Sequence, residues 1–294
     1  MSRFVYLILI CFTLASCASG PAVHKRSRLK SHRTAKENIV HQDRAGETRA
    51  GPSKWRKSLR NRRGPLVPTI IHPRDGSVMV LIKPGKTASR NPAYISTNVQ
   101  EAAPSARFQS QRPFYIDLNE VTVEQFKRYN PKYDEKPYTG GKPCPQCPAM
   151  AIDWKHANRY CLWTGRRLPT EAEWETAAGG RGSRPWGDQI NPRHANILGE
   201  EDGYLFAAPV RSFPAGASPS GALDMIGNVW EWVGDPYPVK STKNSDGKGA
   251  SILRIVKGGG WTSPAKIARI SFRNVVDPNL KNPTFGFRCS KSFY

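Results

Sequence analysis

Hydrophobic residues in this 294-residue chain occur in short runs, and most of these runs follow residue 75. The run Val78–Ile82 is closed by Pro84 and Gly85, which is typical of a strand followed by a turn. Phe114–Asp117 has the same character. The pattern therefore predicts two short strands near the start of a folded region.

Three short helices are predicted where a capping residue precedes apolar positions at helical spacing. The expected caps are Thr122, Asp153 and Thr170, and Gln125 and Glu173 stand where the first and third helices need a capping box. The third helix is expected to end at Gly179 and Gly180. Beyond it, short strands, Pro/Gly turns and aromatic residues dominate, which predicts a single α+β domain over residues 67–294 with much irregular structure.

The stretch 224–232 combines bulky aromatic residues with oxygen donors. Trp230 and Trp232 are two positions apart, so they share one face of an extended segment, and we expect both in the core. Asp224, Asn228 and Glu231 lie beside them. A buried carboxylate must be paired with a positive charge or must bind a cation.

The first residues of the chain predict export. An apolar run ends in Leu14-Ala15-Ser16-Cys17, which resembles the lipobox of bacterial lipoproteins. The resemblance implies a signal peptide over residues 1–16, acylation of Cys17 and, because no acidic residue follows, an outer-membrane location facing the periplasm. An ordinary secretory signal with a coincidental cysteine is the alternative.

Positive charge is concentrated in residues 18–66, which contain 14 Lys/Arg against 3 Asp/Glu, half of the total net charge of +22. Apolar residues are too sparse there to form a core, so residues 17–66 are interpreted as a lipidated, disordered tether. We expect contacts with an envelope protein or with an anionic cell-wall or lipopolysaccharide polymer, and not with nucleic acid. A solvated spacer without a partner is equally compatible with this composition.

Cys144 and Cys147 form a C-x-x-C pair in a Pro/Gly-rich loop. A zinc site would need two further ligands, and no second pair accompanies them. A local disulfide is the leading interpretation, and a free or redox-active pair is the alternative.

Several motifs, in order and spacing, resemble the formylglycine-generating enzyme (sulfatase-modifying factor) family. They are Glu120-Val121-Thr122, the stretch from Gly165 to Glu175, Trp186-Gly187, the stretch from Gly227 to Trp232, Gly258-Gly259-Gly260-Trp261 and Gly286-Phe287-Arg288-Cys289. The resemblance covers about residues 75–294. It implies a variant of the C-type lectin fold with few helices, short strands and bound calcium.

The resemblance also implies two calcium sites and a disulfide. In the first site the side chains of Asn196 and Asp202 would act with the main-chain carbonyls of Ile197 and Tyr204. The second site would use Asp224, Gly227, Val229 and Glu231, again mixing carboxylates with carbonyls, as a hard cation requires. The alternative is that backbone N–H groups or an arginine satisfy these acids. The implied disulfide joins Cys161 to Cys289.

The chain departs from the family at its chemistry. Formylglycine-generating enzymes bind copper(I) through two cysteines between the glycine-rich motif and a following arginine, but here residues 261–273 contain no cysteine. No copper is therefore expected. The six histidines are not spaced as an iron-ligand pair either. The same segment supplies the candidate cleft residues Trp261, Arg269 and Arg273.

Three functions remain open. The favoured hypothesis is an envelope-anchored, calcium-stabilised module for binding or regulation, with no catalytic residue assigned. The second is an oxidoreductase or other enzyme of altered chemistry, using Cys144 and Cys147 or the arginines with Asp277. The third is a structural envelope protein bound through its basic arm.

Overall fold

The computed structural model describes residues 68–83, 112–180, 183–199, 201–237 and 252–293. The predicted signal peptide 1–16, the lipidation site Cys17 and the basic tether 17–66 lie outside the described residues. Within the described ranges, no helix is both long and apolar enough to cross a bilayer.

Two four-stranded sheets carry the fold of the described residues. The first is antiparallel, in the order β1-β2-β3-β8, and consists of β1 (Thr69–Ile71), β2 (Val78–Ile82), β3 (Phe114–Asp117) and β8 (Ser290–Ser292). The second, in the order β6-β5-β4-β7, consists of β4 (Trp230–Tyr237), β5 (Leu253–Lys257), β6 (Arg273–Val276) and β7 (Phe285–Phe287). β7 runs parallel to β4, and the other pairs of this sheet are antiparallel.

Three α-helices form where the capping residues predict them: α1 (Val123–Tyr129), α2 (Trp154–Trp163) and α3 (Glu171–Ala178). Thr122, Asp153 and Thr170 each accept a hydrogen bond from the backbone N–H three residues on, and both capping boxes are present. Gly179 ends α3 at φ 111°, a left-handed conformation that favours glycine. The predicted α+β architecture with few helices and short strands is confirmed.

Segment 261–272 contains turns and no strand, because Ile267 and Ala268 both donate to the carbonyl of Pro264. β6 begins only at Arg273. Ala268 and Ile270 nevertheless point into the core.

The core is divided between the sheets. One cluster lies around Trp174 of α3 and the strands of the first sheet, and another around Trp230 and Trp232 with the aromatic residues of α1 and α2. Both β4 tryptophans are buried, as predicted. A third, smaller cluster joins Met150, Ala207 and Val229 to the half-buried rings of Tyr138 and Trp261.

Both predicted disulfides are present. Cys161 of α2 is bonded to Cys289, immediately before β8, across a sequence separation of 128 residues. On the chain-entropy account a closed loop of this length contributes on the order of 5 kcal/mol. Cys144 and Cys147 are bonded to each other in the loop that precedes α2.

Candidate functional site

Arg288 lies at the centre of the predicted second calcium site. Its guanidinium is fully buried and holds the Glu231 carboxylate by two bonds, Nε to Oε2 at 2.6 Å and Nη2 to Oε1 at 2.7 Å. The indole N–H of Trp174 donates to the same Oε2 at 2.8 Å. The arginine also donates to the carbonyls of four residues, namely Asp117, Leu118, Leu223 and Asp224. Glu231 is therefore satisfied by an arginine and an indole.

Two more carboxyl groups are buried in the same neighbourhood. Asp224 has φ 56° and accepts the backbone N–H of Arg211 at 2.8 Å on Oδ2. Glu120 is 0% exposed, and neither of its carboxylate oxygens has a hydrogen-bond partner among the described residues. Burial, and then the charges of Asp224 and Glu231, raise the pKa of Glu120 well above its usual value. Burial likewise raises the pKa of Asp224 to about 6. The cluster thus contains more negative than positive groups.

The first predicted calcium site is less crowded. Asp202 accepts the backbone N–H groups of Ile197 at 3.1 Å and Tyr204 at 2.9 Å, one on each oxygen. Asn196 donates its amide to the carbonyl of Phe206 at 2.9 Å. Its Oδ1 is buried without a hydrogen-bond partner in the part of the chain that the structure describes.

The two predicted sites adjoin each other. Asn228 donates its backbone N–H to the carbonyl of Asn196 at 2.7 Å. Gly227, at φ 79°, leaves no room for a side chain, because a Cβ there would lie 2.2 Å from that same carbonyl oxygen. The Asn228 side chain also accepts from the N–H of Ala208 at 2.8 Å. The stretch 227–228 therefore fixes the loop of the first site against the strand of the second.

Side chains alone do not complete a metal site. In the described ranges, no three His, Cys, Asp or Glu side chains come together in a way that could hold a metal ion. Any cation here would depend on main-chain carbonyls and on the Asn196 amide.

The candidate cleft residues separate in the structure. Arg273 is committed to Glu171, with Nε to Oε1 at 2.8 Å and Nη2 to Oε2 at 2.7 Å. Arg269 lies with its guanidinium 5.9 Å from the ring centre of Phe272. Asp277, considered as a partner for these arginines, instead caps the turn at Asn279. Arg269 and Arg273 thus have different neighbours in the structure.

Trp261 instead joins an exposed apolar surface. Its ring packs edge-on against Phe206 with the centroids 5.6 Å apart. Leu205 and Phe206 are 67% and 41% exposed, and Leu198, whose N–H donates to the carbonyl of Ser263, is also exposed. We call Leu198, Leu205, Phe206 and Trp261 the apolar surface.

A second buried arginine, Arg166, lies in the first sheet's neighbourhood. It pairs with both Asp75 and Asp117 and donates to the hydroxyls of Ser77 and Thr164. Tyr160 donates its hydroxyl to Asp75 Oδ2 at 2.8 Å.

Sequence reasoning did not assign Glu120 or Arg288 to a site. Both residues stand in motifs that carry the family resemblance, and that position was the available signal. The contacts of Arg288 join residues more than 50 positions apart, so no local pattern encodes them.

The family is established by comparison. Residues 70–293 match the sulfatase-modifying factor enzyme 1-like domain, and the chain belongs to this family. Its match to the solved structure of PvdO from Pseudomonas aeruginosa has a TM-score of 0.57 at 27% identity, covering 77% of this chain and 98% of that one.

Two curated relatives differ in what their names say. The formylglycine-generating enzyme of Streptomyces coelicolor is 35% identical over 169 residues, covering 50% of this chain and 53% of the relative. The inactive C-alpha-formylglycine-generating enzyme 2 of Mus musculus is 34% identical over 163 residues, covering 50% of each. This chain thus spans about half the length of these two relatives.

Proposed function

We propose that this family member is a binding or regulatory module that does not carry out copper-dependent formylglycine synthesis. The observation that carries the proposal is the segment 261–273, which contains no thiol for copper(I). Its buried hydroxyl, Ser263, accepts the N–H of Gly260 at 2.9 Å, and its arginine Arg273 is committed to Glu171. The existence of a similar protein named as inactive supports a non-catalytic branch.

The apolar surface is the proposed recognition site. Exposed large apolar side chains that lie together are a common feature of protein interaction sites. Trp261 and Phe206 add aromatic rings, which are enriched among residues that dominate binding energy. We infer that the partner is an envelope protein that covers Leu205 and Phe206.

Calcium is proposed as a stabilising ion at the first site. The fit rests on Asn196 Oδ1, a buried amide oxygen that lacks a hydrogen-bond donor among the described residues. Asp202 accepts one N–H on each oxygen, so lone pairs remain for a hard cation. Ile197 and Tyr204 would add main-chain carbonyls.

At the second site, the surplus of negative charge supports calcium more strongly than the number of oxygen atoms that remain available as ligands. Glu120, Asp224 and Glu231 exceed the charge of Arg288, so a cation would offset the surplus. Glu231, however, already holds Arg288 and Trp174. In this site we assign ligation to Asp224, with the carbonyls of Gly227 and Val229, and expect Glu231 to share its carboxylate with the arginine.

Anchoring to the envelope is proposed from the sequence. Acylation of Cys17 would insert hydrocarbon chains into the membrane, worth about 0.8 kcal/mol for each buried CH₂. The basic stretch 17–66 would add attraction to anionic cell-wall or lipopolysaccharide polymer. We place the domain at the outer membrane, facing the periplasm.

A turnover assay and a crosslinking experiment test the function. The purified protein, supplied with copper(I), oxygen and a cysteine peptide, should form no formylglycine, and turnover would overturn the proposal. Crosslinking from the native envelope should recover a partner with the wild type and lose it with Phe206→Ser. The matched control is Leu280→Ser, because Leu280 is 42% exposed and lies outside the apolar surface. Equal recovery with both variants would remove the apolar surface from the proposal.

Metal analysis and thermal unfolding test the calcium. We expect about two calcium ions per chain, one for each proposed ligand set, and no copper. Calcium should raise the Tm of the wild type, and Asn196→Ala should reduce that rise. An unchanged calcium-dependent rise in this variant would exclude Asn196 as a ligand.

A further inference from the structure

The two disulfides differ in how far a reactant can reach them. Cys161 and Cys289 are each 0% exposed, so their bond is enclosed in the core. Cys144 is partly exposed on its loop, whereas Cys147 is 3% exposed. Exposed disulfides are generally the labile ones, and enclosed ones are structural.

The accessible bond is also asymmetric. A thiolate attacks one sulfur of a disulfide and expels the other, so access decides which sulfur is attacked. Here Cys144 is the partly exposed residue, so we take its sulfur as the one that an incoming thiolate attacks. The leaving sulfur, Cys147, is sheltered and lies 3.6 Å from the carbonyl oxygen of Ala207. The C-x-x-C spacing keeps the two side chains on one tight turn.

Hydrogen bonds that do not involve the sulfurs hold this turn. The N–H of Cys147 donates to the carbonyl of Cys144 at 3.1 Å, and the carbonyl of Cys147 accepts the N–H of Val123 at 2.9 Å. The main-chain carbonyl of Gln146 accepts the N–H of Val210 at 2.8 Å. The two thiols of a reduced chain would therefore stay close enough to form the bond again.

The exchange-competent turn adjoins the apolar surface. Ala207, whose carbonyl contacts the Cys147 sulfur, follows Phe206 in the chain and belongs to the cluster that includes Trp261. A protein seated on Phe206 and Trp261 would therefore lie close to the turn that contains Cys144 and Cys147.

We propose that Cys144 and Cys147 form a dithiol–disulfide exchange site for cysteines of a protein partner. A partner thiolate attacks Cys144 Sγ, the Cys144–Cys147 bond breaks and Cys147 leaves as a thiolate, which takes up a proton. A second partner thiolate then attacks the partner sulfur of the mixed disulfide and expels Cys144. The partner dithiol loses two electrons and two protons and becomes a disulfide, and the Cys144–Cys147 pair gains them. A second protein disulfide closes the cycle by the reverse exchange.

Selective reduction of the full chain is the first test. The native protein is treated with a low concentration of dithiothreitol, alkylated and digested for mass spectrometry. Cys144 and Cys147 should be alkylated while Cys161 and Cys289 remain bonded. Resistance of both bonds, or loss of both at the same reductant concentration, would overturn the proposal.

Trapping with oxidised glutathione tests the roles of the two sulfurs. In Cys147→Ser, the remaining Cys144 thiol should form a mixed disulfide at least tenfold faster than the Cys147 thiol does in Cys144→Ser. Equal rates in these matched variants would exclude an accessible attacking sulfur. Retention of the Cys161–Cys289 bond in both variants, checked by mass spectrometry, shows that they have folded.

Activity on a small dithiol separates this inference from the proposed function. The wild type should oxidise about one peptide dithiol per chain, as the single-exchange stoichiometry requires, and both serine variants should oxidise none. The inference draws on the proposed apolar surface only for docking, so Phe206→Ser should keep this exchange and lose the protein partner. Oxidation by the serine variants at the wild-type level would place the chemistry elsewhere.

Discussion

Two buried arginines, Arg166 and Arg288, hold together different parts of this domain. The carboxylates around them differ in whether all their oxygens accept hydrogen bonds. Around Arg166, every carboxylate oxygen of Asp75 and Asp117 accepts at least one hydrogen bond. Asp75 Oδ2 accepts from Arg166 and Tyr160, and its Oδ1 accepts from the N–H of Ser77. Asp117 Oδ1 accepts from Arg166, and its Oδ2 accepts from the N–H of Cys289. Around Arg288, Glu231 takes the guanidinium. Glu120 is left without a hydrogen-bond partner among the described residues.

The two clusters differ in their carboxylates: all carboxylate oxygens around Arg166 accept hydrogen bonds, whereas those of Glu120 do not among the described residues. A buried polar group without a partner costs about 1–3 kcal/mol, and more when it is charged. The Arg166 cluster has no such group among its carboxylates. The Arg288 cluster would gain from a cation or a proton, which is the state expected of a binding site for a positive ion.

The pKa values of the carboxyl groups differ between the two clusters, although not for every group. Burial raises the pKa of Asp75, but the Arg166 charge and the hydrogen bonds from Ser77 and Tyr160 outweigh it, so the net pKa is below its usual value. Burial outweighs Arg166 at Asp117 and raises its pKa to about 6. At Glu120, burial and the charges of Asp224 and Glu231 outweigh the opposing charge of Arg288, so its pKa is raised well above the usual value.

Removing either arginine should give the largest effect. Arg288→Met and Arg166→Met each leave buried carboxylates without their cation, and we expect losses on the order of 3–5 kcal/mol in the free energy of unfolding. Calcium should recover part of the loss in Arg288→Met and none in Arg166→Met. Urea unfolding with calcium and with chelator measures both. An equal calcium response of the two variants would abolish the distinction between the clusters.

Neutralising one carboxylate in each cluster should give effects of opposite sign. In chelator and above the folded pKa of Glu120, Glu120→Gln removes a buried charge that has no hydrogen-bond partner among the described residues, so it should stabilise the domain by about 1–3 kcal/mol. Asp75→Asn should destabilise it, because Arg166 and hydrogen bonds hold the pKa of the Asp75 carboxylate below its usual value and the substitution removes this partner of Arg166. Thermal and urea unfolding check the signs. Destabilisation by Glu120→Gln in chelator would mean that its carboxylate is paired in solution.

The pH dependence of that gain should be the smallest effect. A carboxyl group with a raised folded pKa destabilises the fold above that pKa and takes up a proton below it. The advantage of Glu120→Gln over the wild type should therefore be greatest at neutral to alkaline pH. It should fall as the pH is lowered below the folded pKa of Glu120 and approach zero near the pKa of this group in the unfolded chain. Stability curves of the two proteins from pH 8 to pH 5 measure it, and a constant difference would contradict the raised pKa.

Local rules predicted the elements that are determined locally. The helix starts could be predicted from Thr122, Asp153 and Thr170, because a capping side chain and the N–H group that it accepts are only three residues apart. The burial of Trp230 and Trp232 follows from their alternation on one strand. The family motifs predicted the Cys161–Cys289 pair, which no spacing rule could supply.

Local sequence patterns could not predict which charged residues pair with one another in the buried clusters. Glu171 binds both Lys257 and Arg273, which are more than 80 residues away in the sequence, and no local pattern predicts either pairing. The isolation of Glu120 depends on the same kind of distant packing. A sequence shows that such charges exist, but partners are assigned only by tertiary contacts.

The position of residues 285–292 has a consequence for biosynthesis. β7 supplies an edge strand to one sheet and β8 an edge strand to the other, and Arg288 and Cys289 lie between them. Neither sheet, nor the Glu231 pairing, nor the long disulfide can be completed before this stretch has left the ribosome. Contacts that close over such long separations form slowly. A chain that ends before residue 285 should therefore remain sensitive to protease after export, whereas the full chain should become resistant in one step.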